Sequence, residues 1–130
     1  MKKIIAGLII IVGIIHVLPV LGVMGADRIM ILYGVEINDP NLEILMRHRA
    51  ILFGLLGLFI IYAAFKPVLQ PLAIVAGFVS VLSFLVISVL VGDYNDSIDK
   101  VVMADIVALV ALCVATVLYI FRYLKDKKLP

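Results

Sequence analysis

Six side chains that could do chemistry stand in a chain that is otherwise mostly hydrocarbon. They are His16, Glu43, Arg47, His48, Arg49 and Asp105, in a sequence of 130 residues of which 65% are apolar. Guanidinium groups opposite carboxylates can clamp helices together or hold an anionic, lipid or quinone head group. Two histidines on separate elements could ligate haem or, with Met24, Met30, Met46 and Met103, copper. Ionic groups are costly in lipid, so each must face a partner, a cavity or the head-group layer.

The elements that position these groups are four long apolar stretches, about Ile4–Val23, Ile44–Phe65, Val68–Val91 and Val101–Phe121. At roughly 1.5 Å per residue each can cross a hydrocarbon core of about 30 Å. The mean hydropathy of +1.28 leaves few residues for a soluble unit. The expected fold class is all-α: one integral membrane four-helix bundle over residues 1–130. A soluble catalytic domain or a nucleic-acid module does not fit in what remains.

Charge is segregated. Lys2, Lys3, Lys66, Arg122, Lys125, Lys127 and Lys128 flank one set of helix ends; Arg28, Arg47, Arg49 and Lys100 flank the other. Basic residues stay cytoplasmic, which predicts both termini and the Lys66 turn inside. Tyr33 and Tyr94 fall at the outer ends and Tyr62, Tyr119 and Tyr123 at the inner ends, where an amphipathic ring prefers the head-group level. Met1-Lys2-Lys3 before an apolar run imitates a signal peptide. The run is long for one and Val23–Ala26 is a poor cleavage site, so an uncleaved first span is expected. A single cysteine, Cys113, excludes an internal disulfide.

Local signals punctuate these spans. Pro19 predicts a bend or an early end of the first helix near His16–Pro19. Between Ala26 and Asn41, Asp27 is expected to cap a short helix through Tyr33, closed by Gly34 and lying at the outer interface or folded over the mouth of the helices. Asp39-Pro40 is an N-cap followed by proline at the first helical position. Asp96 or Ser97 is expected to cap the last helix. Ala73, Ala76, Gly77, Ser80 and Ser83 form a small-residue stripe for close packing. The acidic loop Gly92–Asp99 is too short for a calcium-binding loop.

Depth and facing assign the polar residues. Arg47 lies 18 residues before Phe65 and Asp105 lies 16 before Phe121, or roughly 27 and 24 Å along their helices. Steps of three and four from Arg47 meet Ala50, Gly54 and Gly57, a small inward face. Arg49 aligns with Phe53, Leu56 and Ile60, which suggests snorkelling to the head groups. The expected cluster is therefore an outer polar layer in which Arg47 pairs with Asp105, Glu43 or both, with His16 and His48 nearby. No glycine-rich phosphate loop and no paired nucleophile and base are visible.

The run Leu45-Met46-Arg47-His48-Arg49-Ala50 through Leu58, together with Leu32-Tyr33-Gly34-Val35, Asp39-Pro40-Asn41-Leu42, Ile4–Arg28 and Phe78–Phe84, resembles a family of small four-helix bacterial membrane proteins. It is more loosely similar to DoxX-like membrane proteins. The resemblance covers most of the chain and implies a bacterial inner membrane. Members of the family often carry the label phosphopantetheine adenylyltransferase. That activity belongs to a soluble α/β enzyme with a Thr/His-x-x-His motif, and neither His16 nor His48 has such a partner three residues away. The sequence thus points to a non-enzymatic membrane protein in contact with lipid, self-associating or accessory to a larger inner-membrane complex. The alternative is binding of a lipid, quinone or anion at the polar cluster, as a transport accessory. Neither nucleic acid nor a resident cofactor or metal is expected, haem or copper on His16 and His48 being the exceptions weighed.

Overall fold

A computed structural model describes residues 1–127, so Lys128, counted above among the charges of one end, lies outside it. The described chain is helical, 87% of it, with no strands. The order is α1 (Lys2–Val17), a 3-10 segment (Leu18–Met24), α2 (Ala26–Tyr33), α3 (Pro40–Ala64), α4 (Gln70–Val91) and α5 (Asp96–Lys127). Four of these stretches are long and apolar enough to cross a membrane: Lys2–Met24, Pro40–Ala64, Gln70–Val91 and Asp96–Lys127.

The helix ends follow from the residues at them. Pro19 cannot donate to the ladder, and α1 stops at Val17 and tightens into the 3-10 segment. Asp39 caps α3, its Oδ1 accepting from the Asn41 amide at 2.9 Å, with Pro40 in the first turn. Gly34 ends α2 in the left-handed conformation, φ 63°, and its N–H donates to the Met30 carbonyl. Two expected caps differ. Asp27 lies inside the first turn of α2 rather than at its cap, which is Gly25. At α5 the cap is Asn95, whose Oδ1 accepts from the Ile98 amide at 2.9 Å, ahead of the expected Asp96 and Ser97. Its amide side chain can accept from the helix while donating elsewhere, which a carboxylate cannot do.

The tightest packing is one seam along α3. Its small stripe runs along α1 and the 3-10 segment in register: Gly57 against Gly13 and Val17, Gly54 against Val20, Ala50 against Gly22. A Cβ on Gly57 would stand 2.8 Å from the Gly13 carbonyl oxygen and 2.8 Å from the Val17 nitrogen, so the two backbones touch there. Small residues permit this approach, and in an apolar medium close packing is the main attraction between helices. Beside the seam, Ile5, Ile9 and Val12 of α1, Ile60 of α3, Val81 of α4 and Leu112 of α5 are fully buried. Ala73 and Gly77 of the α4 stripe also turn inward, Gly77 against Leu112, while Ser83 is exposed and bonds the Ser80 carbonyl. Leu55, Leu58, Val79, Val89, Leu90 and Val110 face outward and are largely exposed.

At the end opposite α2, the buried Gln70 donates to the Ala64 carbonyl at 3.0 Å and accepts from Arg122 at 3.4 Å. One amide thereby ties the end of α3, the start of α4 and the end of α5. Gly57→Ala is expected to cost about 1–3 kcal/mol, because the new methyl meets backbone that cannot yield. Gly7→Ala, with nothing within 4 Å of its new methyl, should leave stability unchanged or slightly raised. Thermal unfolding followed by circular dichroism in mild detergent compares the two.

Candidate binding site at the α2 end

His16 is the most buried of the expected polar residues, at 2% exposure. Its Nδ1 lies 2.8 Å from the Val12 carbonyl oxygen and its Nε2 lies 3.0 Å from the Ser80 hydroxyl. A carbonyl can only accept, so Nδ1 carries the proton and Nε2 accepts from Ser80. Both ring nitrogens are thus engaged, and neither offers a lone pair to a metal. His48 is exposed and outside the cavity described below. Among the described residues no group of three or more His, Cys, Asp or Glu side chains could hold a metal ion.

The Ser80–His16 pair also amends the reading that no nucleophile stands beside a base. The two residues are 64 apart in sequence, and only the fold joins them. Ser80 does not line the cavity, however, and the second imidazole nitrogen is held by a backbone carbonyl rather than a carboxylate. The arrangement holds α4 to α1.

A cavity of about 250 Å³ opens next to His16 at the α2 end. Every helical element contributes to it: Ile15 and His16 of α1, Leu18 and Pro19 of the 3-10 segment, Ile31, Leu32 and Tyr33 of α2, Arg49 and Phe53 of α3, Phe84 of α4, and Ser97, Lys100, Val101, Ala104 and Asp105 of α5. The α5 residues recur at three and four, one face of a helix. α2 is tucked in, with Ile29 at 0% and Tyr33 at 7% exposure. The Asn95 amide pins its end, donating to the carbonyls of Tyr33 at 2.9 Å and Gly34 at 3.3 Å.

The arginines exchange the places expected for them. Arg47 points away from the cavity along the seam. Its Nε donates to the Val23 carbonyl at 2.9 Å and its NH1 to Glu43 Oε1 at 3.2 Å. Glu43 is thus the partner found, one helical turn away, and the pair is solvent-facing and weakly stabilising. The Arg47–Asp105 pairing is absent. Arg49 lines the cavity instead, its guanidinium carbon 4.9 Å from the Phe53 ring centre and 5.5 Å from that of Tyr33. Aromatic faces attract a cation and hold it without using its N–H donors. Phe53 also stacks on His16, with ring centres 6.0 Å apart.

The reason is geometric. The stripe of small residues from Arg47 marks where a single neighbour comes closest, here α1 and the 3-10 segment. The bulkier stripe Arg49, Phe53, Leu56, Ile60 fills the wider space where several helices meet. Asp105 is half-buried and lines the same cavity as Arg49. No ion pair within 4.0 Å joins them; among the described residues Arg47–Glu43 is the only acid–base pair at that distance. Lys100, Tyr33, Phe53, Phe84 and Ser97 also line the site and were not among the six site residues expected from sequence.

No family model, curated protein or solved structure matches this chain. The residues themselves carry the functional reading.

Ser80→Ala leaves the Nε2 of His16 buried without a donor and should lower stability by about 1–3 kcal/mol. Ser83→Ala removes a hydroxyl that bonds only within its own helix, and should stay within about 0.5 kcal/mol of the parent. Denaturant or thermal titration of the two variants in the same detergent checks the difference.

Proposed function

We propose that this chain is a multi-pass protein of the bacterial inner membrane, a four-helix bundle with both termini cytoplasmic, that binds a small amphiphile in its outer cavity. The observation that carries this reading is the cavity itself: an apolar chamber in which Arg49, Lys100 and Asp105 have no direct ionic partner within 4.0 Å. A few convergent polar groups in an otherwise apolar pocket are the general form of a small-molecule site. By comparison with a cavity of about 150 Å³ that holds benzene, 250 Å³ admits about ten non-hydrogen atoms. The reading is of a binding or transport-accessory protein, since the polar side chains of the cavity include no activated nucleophile.

The orientation is supported by the basic residues at the end opposite α2, Lys2, Lys3, Lys66, Arg122, Lys125 and Lys127. The bacterial origin rests on the resemblance to the small four-helix family. Self-association, or attachment to a larger membrane complex, is the second reading. It is favoured by the apolar outer face of α4 formed by Leu82, Leu85, Val86, Val89 and Leu90. Native mass spectrometry in mild detergent tests both. Binding predicts a small adduct on the parent and on Arg47→Ala, and its loss, by about tenfold in occupancy, from a folded Arg49→Ala. Equal occupancy in both variants would refute the binding reading; multiples of the chain mass in every sample would favour assembly.

A further inference from the structure

The charges around the cavity restrict what its occupant can be. Arg49 and Asp105 face the same space from α3 and α5, farther apart than 4.0 Å. Arg49 is held by the rings of Tyr33 and Phe53, which leaves its N–H groups without a protein acceptor among the described residues. Asp105 likewise has no protein donor there. A pure hydrocarbon in the cavity would displace water and strand both groups, at the full cost of an unmade hydrogen bond to a charge. A carboxylate or phosphate head would meet Arg49 and Lys100 but lie against Asp105. An ammonium head would reverse the problem. A hydroxyl satisfies both at once: its oxygen accepts from the guanidinium while its O–H donates to the carboxylate. A neutral head also avoids carrying a net charge into a chamber walled by Phe53, Phe84 and aliphatic side chains.

Building on the binding reading above, we infer that the ligand is a neutral hydroxylated amphiphile, an alcohol or phenol of about ten heavy atoms or the hydroxyl-bearing end of a longer one. Its hydroxyl bridges Arg49 and Asp105, and its apolar body lies along Phe53 and Phe84. Selectivity arises because a site built around a donor and an acceptor rejects analogues that supply only one of them.

The test uses the full chain in phosphatidylcholine nanodiscs and four aliphatic diazirine probes of equal chain length. They end in a hydroxyl, a carboxylate, an ammonium or a methyl group. After photolysis, peptide mapping reads labelling in the segments around Leu32 and Phe84. The alcohol is expected to label them half-maximally at about tenfold lower concentration than the other three. Arg49→Gln and Asp105→Asn should each weaken the alcohol by about five- to tenfold. Asp105→Asn should at the same time strengthen the carboxylate. If either variant fails to fold, the ranking of the four heads on the unaltered chain still decides. A carboxylate or ammonium that equals or beats the alcohol overturns this inference and leaves the binding reading standing. A methyl probe equal to the alcohol overturns it as well, since the head is then not read. No pocket labelling by any probe removes both readings.

Discussion

The backbone contact between α1 and α3 at Gly13 and Gly57 is the constraint on which the rest of the structure depends. Where two helices touch main chain to main chain, neither can rotate or slide without a clash, so the register of both is fixed. One turn along α3 from Gly57 stands Phe53, and a further turn on stands Arg49. One turn along α1 from Gly13 stands His16. The stack of His16 on Phe53, and of Phe53 under Arg49, follows from that crossing. The other polar ties then place the remaining helices: Ser80 brings α4 to α1, Asn95 folds α2 against the start of α5, and Gln70 gathers the opposite end. Hydrogen bonds that join elements are few, and most of them sit at one level or the other, with close apolar packing between.

Exposure divides the labour among the charged residues. Arg47 donates to Glu43 and the Val23 carbonyl at an exposed position, where an ion costs little. Arg49 and Asp105 are half-buried and remain separated. Charges kept apart inside such a molecule are held in that state by surrounding structure, and here the aromatic rings of Tyr33 and Phe53 do so for Arg49. The two rings hold the guanidinium on the wall of the cavity.

Much of the helical framework was legible in the chain. Runs of apolar residues gave the four long helices, and Asp39-Pro40, Gly34 and Pro19 marked their boundaries as the structure has them. The site was legible only in part. His16 and Asp105 were found because each is polar within an apolar run. Both arginines were among the expected site residues and Arg47 does pair with Glu43, but their facing was exchanged, because a stripe of small residues was read as the face toward the centre when it is the face toward one neighbour. Depth contained the better signal: Arg49 lies 16 residues before Phe65 and Asp105 lies 16 before Phe121, the same level. Lys100, Ser97 and Tyr33 stand near element ends, where residues of their kind are ordinary, and only the folding-over of α2 draws them into one chamber. The Ser80 partner of His16 and the Gln70–Arg122 tie are contacts between segments distant in sequence, which no local pattern encodes.

Arg49, and not Arg47, is the α3 arginine that lines the cavity with Asp105. Paired cysteines decide it in a Cys113→Ser background, with residue 105 joined to residue 49 in one variant and to residue 47 in the other. A bismaleimide linker of about 8 Å is offered to each in lipid nanodiscs. Efficient intramolecular cross-linking of Arg49→Cys with Asp105→Cys, and little or none of Arg47→Cys with Asp105→Cys, is the predicted result. Cross-linking through position 47 in preference to 49 would show that Arg47 is the arginine facing Asp105.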